Sequence, residues 1–147
     1  MDTLASKLVG SWRLVSREDR TPAGERRVDP GLGADPLALL VYDSAGNFSA
    51  QFMKRDREDS TSATTAAQGS NNSVAVGGYD AYFGTYTVDE VAGTVTQHLV
   101  GALSPGDVGK VVTRELRVEG ERLIIELATS GTDGEPLTRA LIWARAI

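Results

Sequence analysis

Short segments with alternating apolar and polar residues make up most of this chain, and turn-forming residues separate them. A period of two is typical of β-strands that bury one face. Strands are predicted at residues 12–17, 37–42, 47–53, 82–88, 94–100, 111–118, 123–129 and 137–145. No convincing helix separates these strands, so the pattern predicts an antiparallel meander. The length has room for about eight to ten strands, which is enough to close a barrel.

Two segments depart from the alternation. The first residues predict a short helix, because Asp2 or Thr3 can cap it and Leu4 and Leu8 lie one turn apart on one face. Residues 54–78 are charged at first and then mostly small or polar, so they bury little apolar surface. We expect a mobile loop there, and a loop of this length is a candidate lid.

Composition narrows the class of protein. A length of 147 residues predicts one domain, and a net charge of −5 argues against nucleic-acid binding. One histidine and no cysteine leave no ordinary zinc site, so neither a metal nor a cofactor is expected. No signal peptide or membrane-length apolar run is present, which predicts a cytoplasmic protein without a membrane partner. A homodimer is left open.

The ordered motifs of the chain resemble the lipocalin-like domain family. The matching segments are Leu8–Ser16, Gly46–Gln51, Tyr82–Tyr86, Gly93–His98, Pro105, Gly109, Arg114 and Leu141–Arg145. The resemblance spans nearly the whole chain. It implies an all-β protein, an antiparallel up-and-down lipocalin-like (calycin-type) β-barrel with a short N-terminal helix, which can enclose a small apolar molecule.

The resemblance also implies roles at the two ends of the sheet. In such barrels a tryptophan of the first strand commonly packs beneath a basic residue of the last strand, which pairs Trp12 with Arg145 here. Trp143 on the same last strand is expected to be structural as well. The chain departs from the family at Gln97-His98-Leu99-Val100, where members often carry paired histidines followed by an acidic residue.

Arg114 is the first candidate for ligand binding. Alternation places it on the same strand face as Val112, Leu116 and Val118, so an inward-facing strand would carry a guanidinium into the barrel. A buried charge needs a partner. That partner is either a structural ion pair or the acidic or carbonyl oxygen of a ligand, which the planar donor fork of arginine suits.

His98 and the tyrosines are the candidates for acid–base chemistry. His98 is the one side chain that ordinarily titrates near neutral pH, although its strand face is too mixed to say whether it points inward. Tyr82 and Tyr86 share a face and either pack in the core or orient a polar ligand atom. Gln51 and Met53 share a polar and adaptable face that meets either a ligand or solvent.

These residues give two functional hypotheses. The first is a barrel that binds a small, largely apolar molecule through Gln51, Met53, Tyr82, Tyr86, His98 and Arg114. The second is a cofactor-free cyclase or isomerase of natural-product biosynthesis in the same pocket. It would act by holding a flexible substrate in a reactive shape, with His98 and Tyr86 as catalytic residues. An interaction module with a filled barrel core is a weaker third possibility.

Overall fold

Nine antiparallel strands and two short helical segments form the regular structure of the described residues. The computed structural model describes residues 2–57, 75–131 and 133–146. The elements are α1 (Leu4–Leu8), β1 (Gly10–Arg20), β2 (Arg26–Arg27), β3 (Leu37–Tyr42), β4 (Asn47–Met53), β5 (Tyr79–Asp89), β6 (Thr94–Ala102), the 3-10 helix η1 (Pro105–Asp107), β7 (Val111–Glu119), β8 (Arg122–Ser130) and β9 (Pro136–Arg145).

The strands form a closed barrel. Strands β3 to β9 pair with their neighbours in chain order, and β1 pairs with both β3 and β9. Eight strands therefore close the sheet, and the short β2 is an extra strand on the end of β1. This topology confirms the predicted up-and-down barrel with a short N-terminal helix. Full closure leaves no exposed edge along most of the sheet.

Most of the predicted long loop lies outside the described residues. Residues 58–74 belong to that part, so the expected mobile loop and lid at 54–78 stay a prediction. The two described ends of the segment meet, because the backbone N–H of Lys54 donates a hydrogen bond to the carbonyl of Gly78 over 2.7 Å. Ala75 is buried against the core.

One end of the barrel is closed by α1. Trp12 on β1 is fully buried, and its Nε1 donates to the carbonyl oxygen of Leu8 at the end of α1 over 3.0 Å. The guanidinium carbon of Arg145 lies 4.2 Å from the centre of the Trp12 ring, the contact that the family resemblance implies. Arg145 also donates to the carbonyls of Val9 and Lys7, so its guanidinium supplies partners to backbone oxygens at the end of α1.

The other end of α1 is fastened to the turn between β5 and β6. Thr3 caps the helix by accepting a hydrogen bond from Ser6 N. The carboxylate of Glu90 accepts hydrogen bonds from the free N–H groups of Leu4 and Ala5 over 2.7 and 3.0 Å. These contacts satisfy donors that the first turn of a helix leaves open. The barrel is therefore covered at this end, and any ligand must enter elsewhere.

Candidate functional site

A cavity lies inside the barrel, between the inward faces of most of its strands. The cavity volume is about 60 Å³, and the empty space reaches roughly 700 Å³ only when the open solvent at its mouth is counted. Three residues outside the strands also line it, so connecting segments contribute to its wall: Asp29, Leu32 and Ala75. Small-molecule sites in proteins are commonly concave spaces with few, well-placed polar groups.

One side of the cavity is apolar and aromatic. Its side chains are Leu40, Ala50, Phe52, Ile125, Leu141 and Trp143. The ring of Phe52 packs edge-on against Trp143 at 5.8 Å and stacks against Tyr82 at 6.4 Å between ring centres. Trp143 is buried, and its ring serves both as core and as cavity wall. This side can accept an apolar ligand surface, and its one polar exception is the buried indole Nε1 of Trp143, which has no hydrogen-bond partner among the described residues.

Arg114 and Tyr82 bring polar groups to the same cavity. Arg114 lies on the inward face of β7, the face on which the alternation placed it, and burial lowers the pKa of its guanidinium. Burial, and secondarily the charge of Asp80, raises the pKa of Tyr82 to about 12. Tyr82 therefore keeps its proton at neutral pH and can donate a hydrogen bond, while arginine offers several donors in a fixed plane.

A buried network of ion pairs borders these groups. Arg139 binds both carboxylate oxygens of Asp19 over 2.7 and 2.9 Å, and one of its nitrogens lies 3.8 Å from Asp29. Arg17 pairs with Asp29 over 3.1 Å. Burial and the charge of Arg139 lower the pKa of Arg17. Arg17, Asp29 and Arg139 line the cavity, so its wall carries charges that are matched within the protein.

Tyr42 and Gln97 form a second polar pair on the cavity wall. Gln97 Nε2 donates to the hydroxyl oxygen of Tyr42 over 2.8 Å, and both side chains are buried. Burial raises the pKa of the Tyr42 phenol. The phenol of Tyr42 and the guanidinium of Arg114 lie close enough for each to shift the pKa of the other. The inward polar residue of β6 is thus Gln97, which the sequence did not single out.

His98 does not line the cavity, contrary to the sequence prediction. On β6 the side chains of Val95, Gln97 and Leu99 are buried, and His98 between them is exposed on the outer face. A lone histidine at this position has no access to a ligand inside the barrel. The mixed face that carries His98 is the solvent face, so the structure does not bring His98 to the cavity, and its catalytic role stays a prediction.

Gln51 and Met53 also lie on the outer surface, which corrects their assignment as ligand contacts. Phe48, Ala50 and Phe52 are the buried residues of β4, so the intervening positions face away from the barrel interior. Gln51 accepts a hydrogen bond from the hydroxyl of Tyr79 on the neighbouring strand. The predicted division of β4 into two faces agrees with the structure, but the face that lines the cavity is the apolar one.

The hydroxyl of Tyr86 is hydrogen-bonded within the protein, near the end of the barrel that α1 covers. Its hydroxyl donates to the carbonyl oxygen of Asp43 over 2.6 Å, and its ring packs edge-on against Tyr42 at 4.8 Å. Tyr86 does not line the cavity, in contrast to Tyr82, which lies four residues earlier on the same strand. The structure therefore places Tyr86 beside the cavity residue Tyr42 and not on the cavity wall, and its catalytic and ligand-binding role stays a prediction.

The residues that sequence reasoning missed are mostly charged: Arg17, Asp19, Asp29, Asp80 and Arg139. Charged residues are usually exposed, so each one alone predicts a solvent position. One signal was available on β9, where alternation puts Arg139 on the same face as Leu137, Leu141 and Trp143. The same argument that brought Arg114 inward would have brought Arg139 inward.

Comparison with known families gives one match. A family model described as a lipocalin-like domain matches residues 9–146. No curated protein matches the chain. Among the described residues, no helix combines the length and the apolar character needed to span a membrane.

Proposed function

The chain belongs to the lipocalin-like domain family, and from this membership we propose that its barrel binds a small, largely apolar molecule with an acidic or carbonyl oxygen. The observation that carries the proposal is one cavity that joins an aromatic wall to two hydrogen-bond donors, Tyr82 and Arg114. The apolar part of the ligand would contact Phe52 and Trp143. Its oxygen would accept hydrogen bonds from the phenol and the guanidinium.

The two donors support an oxygen acceptor over other polar groups. Arginine has only donors and keeps its charge, and a phenol with a raised pKa is protonated at neutral pH. The guanidinium is not suited to a ligand ammonium, because it carries a positive charge and has no acceptor. Hydrogen bonds to a charged group contribute about 1.5–3 kcal/mol each, so they can fix the orientation of an otherwise apolar molecule.

A second function in the same cavity is a cofactor-free cyclase or isomerase. The specific observation in its favour is the division of the cavity into an aromatic side and a donor side. Such a wall can hold one conformation of a flexible substrate, and positioning alone lowers a barrier by several kcal/mol. His98 and Tyr86 do not line this cavity, so acid or base assistance inside it would come from other residues of its wall.

Calorimetric titration with three related compounds tests the binding proposal. The probes are 2-naphthoate, 2-acetonaphthone and naphthalene, which carry a carboxylate, a ketone and no oxygen. We expect the oxygenated probes to bind more tightly than naphthalene. Arg114→Met and Tyr82→Phe should each weaken binding of 2-naphthoate about tenfold or more, as loss of a charged hydrogen bond predicts.

Tyr79→Phe is the matched control, because it removes a phenol that lies on the outer side of the sheet. Equal affinity for naphthalene and the oxygenated probes, or no binding of any probe, would overturn the proposal. Mass spectrometry of small molecules released from the purified protein would then identify the natural ligand class.

Location and assembly are further proposals. We infer a cytoplasmic protein, because the chain has no cysteine and so needs no oxidising compartment. A homodimer is supported by exposed apolar side chains on the outside of the barrel, Phe83, Val100 and Val111. Sedimentation of the purified protein distinguishes a monomer from a dimer.

A further inference from the structure

Asp80 is a carboxylate inside the cavity that the binding proposal does not use. It lies at the start of β5, pairs across the sheet with Phe52 and is only 4% exposed. Its side chain lines the same cavity as Tyr82 and Arg114. Buried acidic residues that border a ligand cavity are candidates for proton transfer, since water does not compete for the reacting proton there.

The position of Asp80 relative to Tyr82 suits one particular chemical unit. The two residues are separated by one position on β5, so both side chains point to the inside and their Cα atoms lie roughly 7 Å apart along the strand. Because both side chains face the cavity from the same strand face, a carbonyl group and its neighbouring carbon can contact both of them at once. The carbonyl oxygen would then face Tyr82, and the neighbouring C–H group would face Asp80.

The charges around Tyr82 favour an oxygen that gains negative charge. Burial and the charge of Asp80 raise the pKa of the Tyr82 phenol overall, but Arg114, Arg17 and Arg139 each act to lower it, so three guanidinium groups lie within electrostatic reach of its oxygen. Fixed donors and positive charges at the point where an oxyanion develops are a major source of catalytic power. They need no rearrangement during the reaction.

We propose that this barrel catalyses proton transfer at a carbon next to a carbonyl group, with Asp80 as the base and Tyr82 and Arg114 as donors to the carbonyl oxygen. This inference rests on the proposed binding function and names the substrate class as carbonyl compounds with an acidic neighbouring C–H bond. Asp80 takes the proton from that carbon. The C–H electron pair becomes a C=C bond, and the carbonyl π pair moves to oxygen to give an enolate.

The return of the proton completes the reaction. Protonated Asp80 delivers it to the same carbon or to a conjugated carbon further along the substrate, and the carbonyl group reforms. The net change is the exchange or the relocation of one hydrogen, so no oxidant, reductant or second substrate is consumed. The enolate is also the species that closes a ring when an electrophilic carbon is held beside it, which connects this chemistry to the cyclase alternative.

Hydrogen exchange of 2-tetralone in D₂O tests the inference. This small apolar ketone has a C–H group between its carbonyl and its aromatic ring, and NMR follows the replacement of that hydrogen by deuterium. We expect the wild-type protein to accelerate exchange above the buffer rate. Asp80→Asn should lower the protein-catalysed rate at least about 100-fold, the usual contribution of a general base. Asp43→Asn, in an exposed turn, is the matched control.

Calorimetry on the same samples separates catalysis from binding. We expect Asp80→Asn to bind 2-tetralone with an affinity close to wild type, because the carbonyl donors remain. Exchange at the buffer rate in wild type that binds 2-tetralone, or unchanged exchange in Asp80→Asn, overturns the inference and leaves the binding function standing. If wild type binds neither 2-tetralone nor 2-acetonaphthone, the proposed function fails and this inference fails with it.

A second variant decides the matter if Asp80→Asn does not fold. Tyr82→Phe keeps the aromatic ring and removes the donor to the enolate oxygen, and loss of such a donor typically costs about 100-fold or more in rate. Exchange by Tyr82→Phe at the wild-type rate would overturn the inference. A lower rate with 2-tetralone still bound would support it.

Discussion

Removal of the Trp12 side chain is the most direct test of how the barrel is closed. The ring is fully buried between α1 and Arg145, and its Nε1 holds the carbonyl oxygen of Leu8. Trp12→Ala therefore deletes core volume, the cation–π contact and one buried hydrogen bond together. It also removes the surface on which α1 packs, although it leaves the backbone pairing of β1 unchanged.

The expected loss of stability is large compared with the total free energy of unfolding of a domain. Tryptophan-to-alanine changes in a core typically cost about 3–5 kcal/mol, because the surrounding side chains only partly fill the space. Whole domains are stable by only about 5–15 kcal/mol, so the variant should be close to its unfolding threshold at ordinary temperature. The cation–π contact accounts for roughly 0.5–2 kcal/mol of this loss.

Urea unfolding measured by circular dichroism gives the free energy directly. Val91→Ala, in a fully exposed turn, is the control and should unfold like wild type. A double-mutant cycle with Arg145→Met isolates the coupling between ring and guanidinium. A loss below about 1 kcal/mol for Trp12→Ala would contradict the reasoning, because it would mean that the ring is not part of the closed end.

Three further outcomes follow from the structure. Arg139→Met should cost about 3–5 kcal/mol in urea unfolding, because it leaves Asp19 buried without its bidentate partner, whereas exposed Arg26→Met should have little effect. The raised pKa of Tyr82, about 12 against an ordinary value of 10, means that folded protein holds a proton that unfolded chains lose. Its contribution to stability should be complete below pH 10 and disappear as the pH rises to 12, and an identical pH profile for Tyr82→Phe would contradict this. Gly84→Ala should abolish the sheet signal in circular dichroism, because its Cβ would lie 1.8 Å from the carbonyl oxygen of His98, while Gly106→Ala has open space and should fold.

The architecture was largely readable from the sequence. Alternation and turn residues located the strands to within a few positions, because the period of two is a direct consequence of strand geometry. The resemblance supplied the pairing of Trp12 with Arg145, two residues that lie opposite each other in β1 and β9. Alternation also predicted Arg114 on the inner face of β7, because Val112, Leu116 and Val118 on the same face indicate that this face is buried.

The cavity was harder to predict because its polar residues depend on partners far away in the chain. Asp19 and Arg139 are 120 positions apart, and neither predicts burial without the other. On β6 the buried Gln97 interrupts an apolar face, and this made the orientation of His98 ambiguous. Local patterns therefore give the direction of a strand face most clearly where most of its residues are apolar, as on β7.

The pairing of β1 with β9 also determines when the protein can finish folding. A meander adds each strand to its predecessor, but the final row of hydrogen bonds joins residues more than 100 positions apart. Closing such a loop costs entropy before any contact repays it, so barrels of this type fold slowly compared with helical proteins. During synthesis, β1 must wait with an open edge until β9 leaves the ribosome. Pairing of β1 with β9 is thus the folding step that competes with edge-to-edge aggregation.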